Sequence, residues 1–311
     1  MGNQMKTWVL MAVLTVLIVW LGGLFGGRQG MILAFILAAG MNFFSYWYSD
    51  KMVLRMYGAR EIPPGEKPEL HQIVSYLAGR AGVPTPRIYV IPGQEAPNAF
   101  ATGRNPEHAA VAVTEGLLKL MNKEQLTGVL AHEMAHVQSR DILIGSIAAT
   151  MAGAVMILAT MARWSAFFGG GTGNDEDGGG LGFVGLIAMS ILAPMAAMVI
   201  QMAISRSREY HADSTGAGFA GNPDGLASAL EKLGSYSRRL PMNAHPSTAH
   251  MFIINPLSGK SMMNLFATHP PLEERIARLR GRGPAAPQSR VSRKPDGMEQ
   301  AEAFWKNLQG K

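Results

Sequence analysis

A chain of 311 residues with 48% hydrophobic and 16% charged residues is poor in charge for a soluble protein, so the composition points first to a membrane. Because the chain has no cysteine, disulfide frameworks and thiolate zinc sites are excluded, and a metal must be bound by His, Asp or Glu. The net charge of +6 fits basic segments beside a membrane better than nucleic-acid binding, since the sequence shows neither a basic patch with interleaved aromatics nor a glycine-rich phosphate loop.

Four long uncharged stretches predict membrane-spanning helices, each of which requires about 20 apolar residues. Two lie within residues 1–49 and are separated by Arg28. The other two lie within residues 142–204, on either side of a glycine-rich acidic link at 169–180. Their Gly, Ala and Ser content also fits a buried helical hairpin in a soluble domain. The first stretch is interpreted as an anchor and not a cleaved signal peptide, because a second span follows at once.

Basic residues follow the second and fourth stretches, whereas the link between the third and fourth is acidic. The basic residues are Lys51, Arg55, Arg60, Arg206 and Arg208. By the positive-inside rule, both large polar segments and both termini are expected in the cytoplasm, although the lone Arg28 argues mildly against this orientation.

The polar segments 50–141 and 205–280 are expected to form one cytoplasmic domain, and residues 281–311, rich in Pro, Gly, Ser and charge at their start, to be largely disordered. PELHQIVSYLAGRAG has the period of an amphipathic helix, and Asn122 with Gln125 resembles a capping box that begins another. Between them, RIYVIP, NAFATG and AAVAVT predict short strands. The expected fold class is therefore mainly α with a small β-sheet (α+β), in a multi-pass membrane protein.

The second of these helices contains AHEMAHVQSRD, residues 131–141. His132 and His136 are four residues apart, so both imidazoles lie on one helix face and can bind one ion. Glu133, beside the first histidine, can instead accept a proton from water. Alone, this H-E-x-x-H pattern is ambiguous, because polar helices also produce it without a metal.

A third ligand is expected from SRSREYHAD, since a catalytic zinc has three protein ligands and an open position for water. Glu209 and Asp213 are one helical turn apart, so one can bind the metal while the other orients a histidine. His211 is the competing ligand, but it points to a different face from Glu209. The alternative for the two carboxylates is a solvated face paired with Arg206 and Arg208.

Four segments stand out together: HEMAH, SREYHAD, PNAFATGRNPEHAAVAVTEGLL and THPPLEERI. Two predicted spans precede the metal helix and two follow it. In this combination the sequence resembles the HtpX-type membrane zinc endopeptidases of bacteria, a zincin-like family related to the type I CAAX prenyl protease. The resemblance covers about residues 1–280. It implies one zinc ion per chain, bound by His132, His136 and Glu209. It also implies that Glu133 is the general base and that Asp213 supports a ligand from behind.

The same resemblance implies a substrate-binding edge strand containing Asn98, Ala99 and Phe100, which would pair with an extended peptide backbone. A turn residue before a strand explains Asn98 equally well. His269, in THPP, could donate to the oxyanion during attack on the peptide carbonyl, but capping or packing at the start of the next helix explains it as well.

Three further segments have open interpretations. Asp141 could lie in the outer part of the site or simply end the metal helix. Residues 250–266 could form a lid over the active site or pack in the core. The 169–180 loop and the tail after residue 280 do not belong to the family pattern, and no function is assigned to them.

The expected function is a zinc-dependent endopeptidase of the bacterial inner membrane, which cleaves misfolded or damaged membrane proteins and unfolded polypeptides at the cytoplasmic face. The resemblance suggests a stress response and protein quality control. Its partners would be these substrates and the lipid bilayer, with no nucleic acid; the oligomeric state stays open. An intramembrane protease is disfavoured by charged residues at both ends of the metal helix. A non-catalytic scaffold or holdase is disfavoured because a structural zinc normally has four protein ligands.

Overall fold

The computed structural model describes residues 3–151, 206–237, 251–253 and 270–281, which form helices around one small sheet. The helices are α1 (Asn3–Met56), α2 (Pro68–Ala81), α3 (Glu115–Leu120), α4 (Lys123–Gln138), α5 (Asp141–Met151), α6 (Arg206–Ala220), α7 (Pro223–Ser237) and α8 (Leu272–Leu279). The strands are β1 (Arg60–Glu61), β2 (Arg87–Ile91), β3 (Ala99–Gly103) and β4 (Ala109–Thr114), with a 3₁₀ turn at Pro106–His108. The predicted combination of many helices and a small sheet is confirmed.

Helix α1 folds back on itself at Gly27, whose φ of 55° interrupts the helix. Trp8 in the first arm stacks on Tyr46 in the second at 5.8 Å, and Asn42 Nδ2 donates to Thr15 Oγ1 at 2.7 Å, so the arms are antiparallel. The two predicted N-terminal stretches therefore form a helical hairpin.

One helix among the described residues, Gly26–Met56, is long and apolar enough to cross a membrane. The apolar part of the first arm, Thr7–Trp20, is shorter. Helix α5 is the start of the third predicted stretch, while the rest of that stretch and all of the fourth lie outside the described residues. The count of four spans stays a prediction, as does the domain division, including the tail at 281–311.

The sheet has the strand order β1-β2-β4-β3. Strands β2 and β4 are parallel, whereas β1 pairs with β2, and β3 with β4, in antiparallel fashion. Three strands coincide with the predicted runs; the two-residue β1 was not predicted. Strand β3 lies at the edge of the sheet.

Both faces of β3 and β4 are buried, because helices cover the sheet on each side. Ala99, Ala101, Val111 and Val113 belong to the main core, which includes α2 and α4. On the other face, Phe100, Ala110 and Ala112 pack with Val53 and Leu54 of α1 and with Ala149 of α5. The sheet thus lies between α4 and the helices that carry the membrane stretches.

The predicted amphipathic helix and capping box are both confirmed. Leu70, Ile73, Val74 and Leu77 form the buried face of α2. At the start of α4, Asn122 Oδ1 accepts a hydrogen bond from Gln125 N at 2.9 Å, and Gln125 Oε1 accepts one from Asn122 N at 3.2 Å. These reciprocal bonds satisfy two donors of the first helical turn and fix where α4 begins.

Helix α4 packs closely on α6 and α7 because glycines lie at both contacts. A Cβ on Gly216 of α6 would lie 2.8 Å from His132 N, and a Cβ on Gly128 of α4 would clash with the backbone of Leu226 in α7. This close approach brings α6 against the HEMAH segment.

We expect Gly128→Ala to lower the free energy of unfolding by about 1–3 kcal/mol, because the new methyl group would meet backbone that cannot rotate away. The gain in helix propensity, about 1 kcal/mol, is too small to offset this clash. Denaturant or thermal unfolding in detergent measures the change. Gly79→Ala is the matched control, since Gly79 is an exposed helical glycine with open space around it and should gain stability. An unchanged or raised stability in Gly128→Ala would contradict the packing argument.

Candidate metal centre

Helices α4 and α6 bring three donor side chains together. His132 Nε2 lies 3.2 Å from His136 Nε2. Glu209 Oε1 lies 3.5 Å from His136 Nε2, and Glu209 Oε2 lies 3.8 Å from His132 Nε2. Ligands bonded to a tetrahedral zinc at about 2.0–2.1 Å are about 3.3 Å apart, so the donor spacing and chemistry fit a zinc ion.

The choice between Glu209 and His211 follows the predicted helix geometry. Glu209 is 8% exposed and lies in the group of possible metal ligands, whereas His211 of the same helix is exposed to solvent. Burial of Glu209 and Asp213 also argues against the alternative of a solvated, salt-bridged face.

A buried carboxylate and arginine lie behind His132. Asp213 Oδ1 is 2.9 Å from His132 Nδ1, close enough for a hydrogen bond although the ring N–H is not well aimed at the oxygen. Arg275 Nε and Nη2 donate to the two Asp213 oxygens at 2.8 and 2.7 Å. Burial acts to raise the pKa of Asp213, but the charge and hydrogen bonds of Arg275 outweigh it and lower the pKa to about 2. Asp213 is thus an anion that favours the proton on Nδ1 and leaves Nε2 free for a metal.

His136 has a similar partner. Its Nδ1 lies 3.3 Å from Asp141 Oδ2, and Arg208 Nη1 lies 3.7 Å from the other Asp141 oxygen. Burial acts to lower the pKa of His136, yet the hydrogen bond to Asp141 and the charges of Glu209 and Glu133 raise it to about 9. The carboxylates around the imidazole therefore favour a positive charge at this position. Of the two roles considered for Asp141, the contact with His136 is the one that the structure shows.

Glu133 lies between the donor group and the sheet. It is 6% exposed, and its Oε2 accepts a hydrogen bond from Ala101 N of β3 at 3.0 Å. Burial raises the pKa of the Glu133 carboxyl, and Glu209 adds to the rise, which outweighs the opposing effects of the two histidines and the Ala101 N–H. A carboxyl group with a raised pKa suits proton transfer near neutral pH.

The predicted edge-strand residues lie close to Glu133 but have different surroundings. Ala99 begins β3 and packs towards α4. The Phe100 ring faces the opposite side and packs on Tyr57, with ring centroids 5.4 Å apart. Asn98 is buried, and its Oδ1 accepts a hydrogen bond from Ile253 N at 3.1 Å. A substrate contact by Asn98 stays a prediction.

Two other predictions fall wholly or partly outside the described residues. His269 lies outside them, so its role stays a prediction. Of the 250–266 segment, residues 251–253 are described, and the buried Phe252 and Ile253 fit the core-packing alternative for this part.

Sequence reasoning missed Arg275, which is 1% exposed and links several parts of the site. Besides Asp213, it donates to Ile253 O at 2.9 Å and lies 3.9 Å from Glu209 Oε2. A signal was present, since Leu272, Ile276 and Leu279 define the apolar face of α8 and Arg275 occupies the remaining position on that face.

We expect Glu209→Ala to lose bound zinc while the fold is retained. Because residues behind a ligand already affect metal affinity by about 10- to 100-fold, loss of a direct ligand should weaken zinc binding by more than about 100-fold. Metal content measured by mass spectrometry, beside a melting curve, tests this. Glu273→Ala, an exposed carboxylate on α8, is the control and should keep one zinc per chain. Stoichiometric zinc in Glu209→Ala would remove Glu209 from the ligand set.

Comparisons with known proteins identify the family. The model of peptidase family M48 matches residues 64–283. The Protease HtpX homolog of Desulfatibacillum aliphaticivorans is 62% identical over 311 residues, covering 99% of this chain and 100% of the relative. That of Desulforapulum autotrophicum is 62% identical over 310 residues, with the same coverage. That of Syntrophobacter fumaroxidans is 60% identical over 282 residues, or 90% of this chain and 99% of the relative.

Among solved structures, the crystal structure of S. mikatae Ste24p has a TM-score of 0.47 and 20% identity, covering 89% of this chain and 65% of that chain. This likeness is too distant to support a conclusion of its own. The family match and the full-length relatives are sufficient: the chain belongs to peptidase family M48, as a zinc metalloprotease of the HtpX type.

Proposed function

We propose that this protease is an endopeptidase of the bacterial cytoplasmic membrane, which cleaves unfolded segments of misfolded or damaged membrane proteins on the cytoplasmic side as part of protein quality control under stress. The observation that carries the proposal is the hydrogen bond between Glu133 and Ala101 N, because it joins the carboxylate beside the metal donors to the edge strand of the sheet.

His132, His136 and Glu209 would hold one zinc ion per chain. When bound, zinc polarises a peptide carbonyl and lowers the pKa of water towards about 7. Glu133 accepts a proton from the attacking water at its carboxylate and delivers it to the leaving amine. Asp213 and Asp141 hold the two imidazoles so that each Nε2 points to the common centre. His269 remains the proposed donor to the oxyanion.

The edge of β3 supports a polypeptide substrate. Asn98 O accepts a hydrogen bond from Thr114 N, so Asn98 and Thr114 form a hydrogen-bonded pair of the antiparallel ladder. Every second residue of β3 after Asn98 is bonded to β4 in the same way. The main-chain groups of Ala99 and Ala101 consequently point away from β4, as the bond from Ala101 N to Glu133 illustrates. Because Glu133 holds Ala101 N, an extended peptide would pair with this edge through the main-chain groups of Ala99 and the carbonyl of Ala101, with little sequence preference. Asn98, Ala99 and Phe100 would then form the substrate-binding stretch.

The membrane location is supported by the second arm of α1. Helix Gly26–Met56 exposes large apolar side chains, among them Leu33 and Ile36 at 68% and 62%. Lys51 and Arg55 follow its apolar part, which supports a cytoplasmic domain by the positive-inside rule. Arg104, one residue after β3, lies 4.8 Å from the Trp47 ring centroid, so the edge strand ends beside the membrane helix. Substrates that emerge from the bilayer would meet the site there.

A degradation assay tests the proposed activity. Zinc-loaded full-length protein in detergent or liposomes should degrade an unfolded casein-like substrate. A chelator should lower the rate of degradation by at least about 100-fold until zinc is restored. Failure of the zinc-loaded protein to degrade any unfolded substrate would contradict the endopeptidase proposal and favour the holdase alternative.

The orientation can be tested separately because the chain has no cysteine. A single cysteine in place of the exposed Glu107 should be protected from a membrane-impermeant thiol reagent in intact spheroplasts and labelled after lysis. Labelling in intact spheroplasts would place the domain on the outer side and contradict the cytoplasmic assignment.

A further inference from the structure

The outer edge of β3, which pairs with no strand among the described residues, is bounded at both ends by contacts from other parts of the chain. Between these ends, the main-chain groups of Ala99 and Ala101 face away from β4, and Ala101 N donates to Glu133 Oε2. The inference that follows rests on the proposed function, because it concerns a peptide paired along this edge.

At the Asn98 end, residues 251–253 pass across the edge. Ile253 N donates to Asn98 Oδ1 at 3.1 Å, and Ile253 O accepts from Arg275 Nη1 at 2.9 Å. Met251 packs with the cluster on the face of Phe100, whereas Ile253 belongs to the core that contains α4. The 251–253 segment therefore runs from one face of the sheet to the other, and both main-chain polar groups of Ile253 are held by buried side chains.

At the opposite end, helix α5 covers the strand. Ser146 Oγ lies 2.7 Å from Thr102 Oγ1, and Gly103 N donates to the same Ser146 oxygen at 3.5 Å. Ser146 is fully buried and also donates to Ile142 O at 2.7 Å, which fixes its hydroxyl group on α5. The edge is thus closed from Thr102 onwards.

We propose that these two contacts bracket the substrate-binding edge, so that a bound peptide pairs with the protease only along Ala99–Ala101 and must bend away from the strand at both ends. Asn98 and Ser146 are positioning residues, which set the length of the paired stretch by holding the 251–253 segment and α5. The substrate class is a short extended stretch flanked by chain that can turn. A long rigid strand or a continuous helix does not fit.

Two series of peptides test the bracket, each built on a core sequence that the zinc-loaded wild type cleaves and lengthened stepwise at either its N-terminus or its C-terminus. For the wild type, kcat/KM should stop rising once the core fills the bracket. Asn98→Leu removes the acceptor for Ile253 N, and loss of its proposed substrate contact should affect every peptide alike. The ratio of KM for the longer peptides of one series to KM for the core peptide should therefore fall by about two- to tenfold, the value of a net hydrogen bond. Ser146→Ala should lower the same ratio for the other series.

If each variant changes the length dependence of only one peptide series, the effect is one of positioning. A general loss of stability would instead change kcat/KM for all peptides together. Gln72→Leu is the control, because Gln72 is an exposed amide residue on α2, away from the β3 edge. Should Asn98→Leu fail to fold, the Ser146→Ala series alone decides. Length profiles unchanged from the wild type, or shifted equally in both series, would overturn the bracket. A zinc-loaded wild type that cleaves no peptide would instead overturn the proposed function.

Discussion

Glu133→Gln should abolish cleavage and leave zinc binding intact. The amide keeps an oxygen that can accept the Ala101 N–H bond, so the side chain stays between α4 and β3. It has no carboxylate to take a proton from water, and general acid–base catalysis contributes about 10²- to 10⁴-fold. We therefore expect kcat to fall by about that factor while KM changes little. Single-turnover assays on an unfolded substrate, beside zinc measurements, check this result.

Glu107→Gln is the control for this substitution, since Glu107 is an exposed carboxylate in the turn that follows β3. It should cleave as the wild type does. If Glu133→Gln retained full activity, the proton-transfer role would belong to another residue. If it lost zinc, the defect would lie in the metal centre, and this would contradict the assignment of Glu133 as a residue that transfers protons without binding the metal.

The helix faces that carry the donor residues could be predicted from sequence because helical geometry is local, whereas the choice of Glu209 over Asp213 as the ligand came from the family resemblance. Four-residue spacing puts His132 and His136 on one helix face, and the same reasoning favoured Glu209 over His211. The cap at Asn122 and the buried face of α2 are likewise properties of neighbouring residues. In each case the structure places the residues as the helical period requires.

The remaining contacts depend on segments that are distant in sequence. Ala101 N reaches Glu133 across the gap between β3 and α4, and Arg275 reaches Asp213 from a helix that begins after residue 270. Hydrophobic periodicity describes which face of an element is buried but not which other element covers it. An arginine on an apolar helix face indicates a buried partner, yet only the packing of α8 on α6 identifies that partner as Asp213.

Arg275→Ala should destabilise the protein by about 3–5 kcal/mol, because it leaves a buried carboxylate without its partner. Asp213 is 3% exposed, and Arg275 holds its pKa at about 2, so the charge persists at neutral pH. Zinc affinity should also fall, by about 10- to 100-fold, since His132 loses the fixed anion behind it. Thermal unfolding of the zinc-free protein and a zinc titration separate the two effects. Arg278→Ala, on the exposed side of α8, should cost less than about 1 kcal/mol.

The difference in unfolding free energy between the wild type and Arg275→Ala should depend on pH, and this dependence provides the sharpest test. Its direction follows from the pKa of Asp213. Its folded-state pKa is lowered to about 2, so its pairing stabilises the wild type above about pH 4 and is lost as the pH falls towards 2. Without Arg275, only His132 opposes the effect of burial, so the pKa of Asp213 rises and its protonation reduces the cost of the buried charge as the pH falls. The difference in unfolding free energy between the wild type and Arg275→Ala should therefore become smaller in acid. A second substitution, Asp213→Asn, should recover part of the loss at neutral pH, because no unpaired charge then remains buried. A difference that stayed constant with pH, together with no recovery in the double variant, would show that Arg275 stabilises the fold by packing alone.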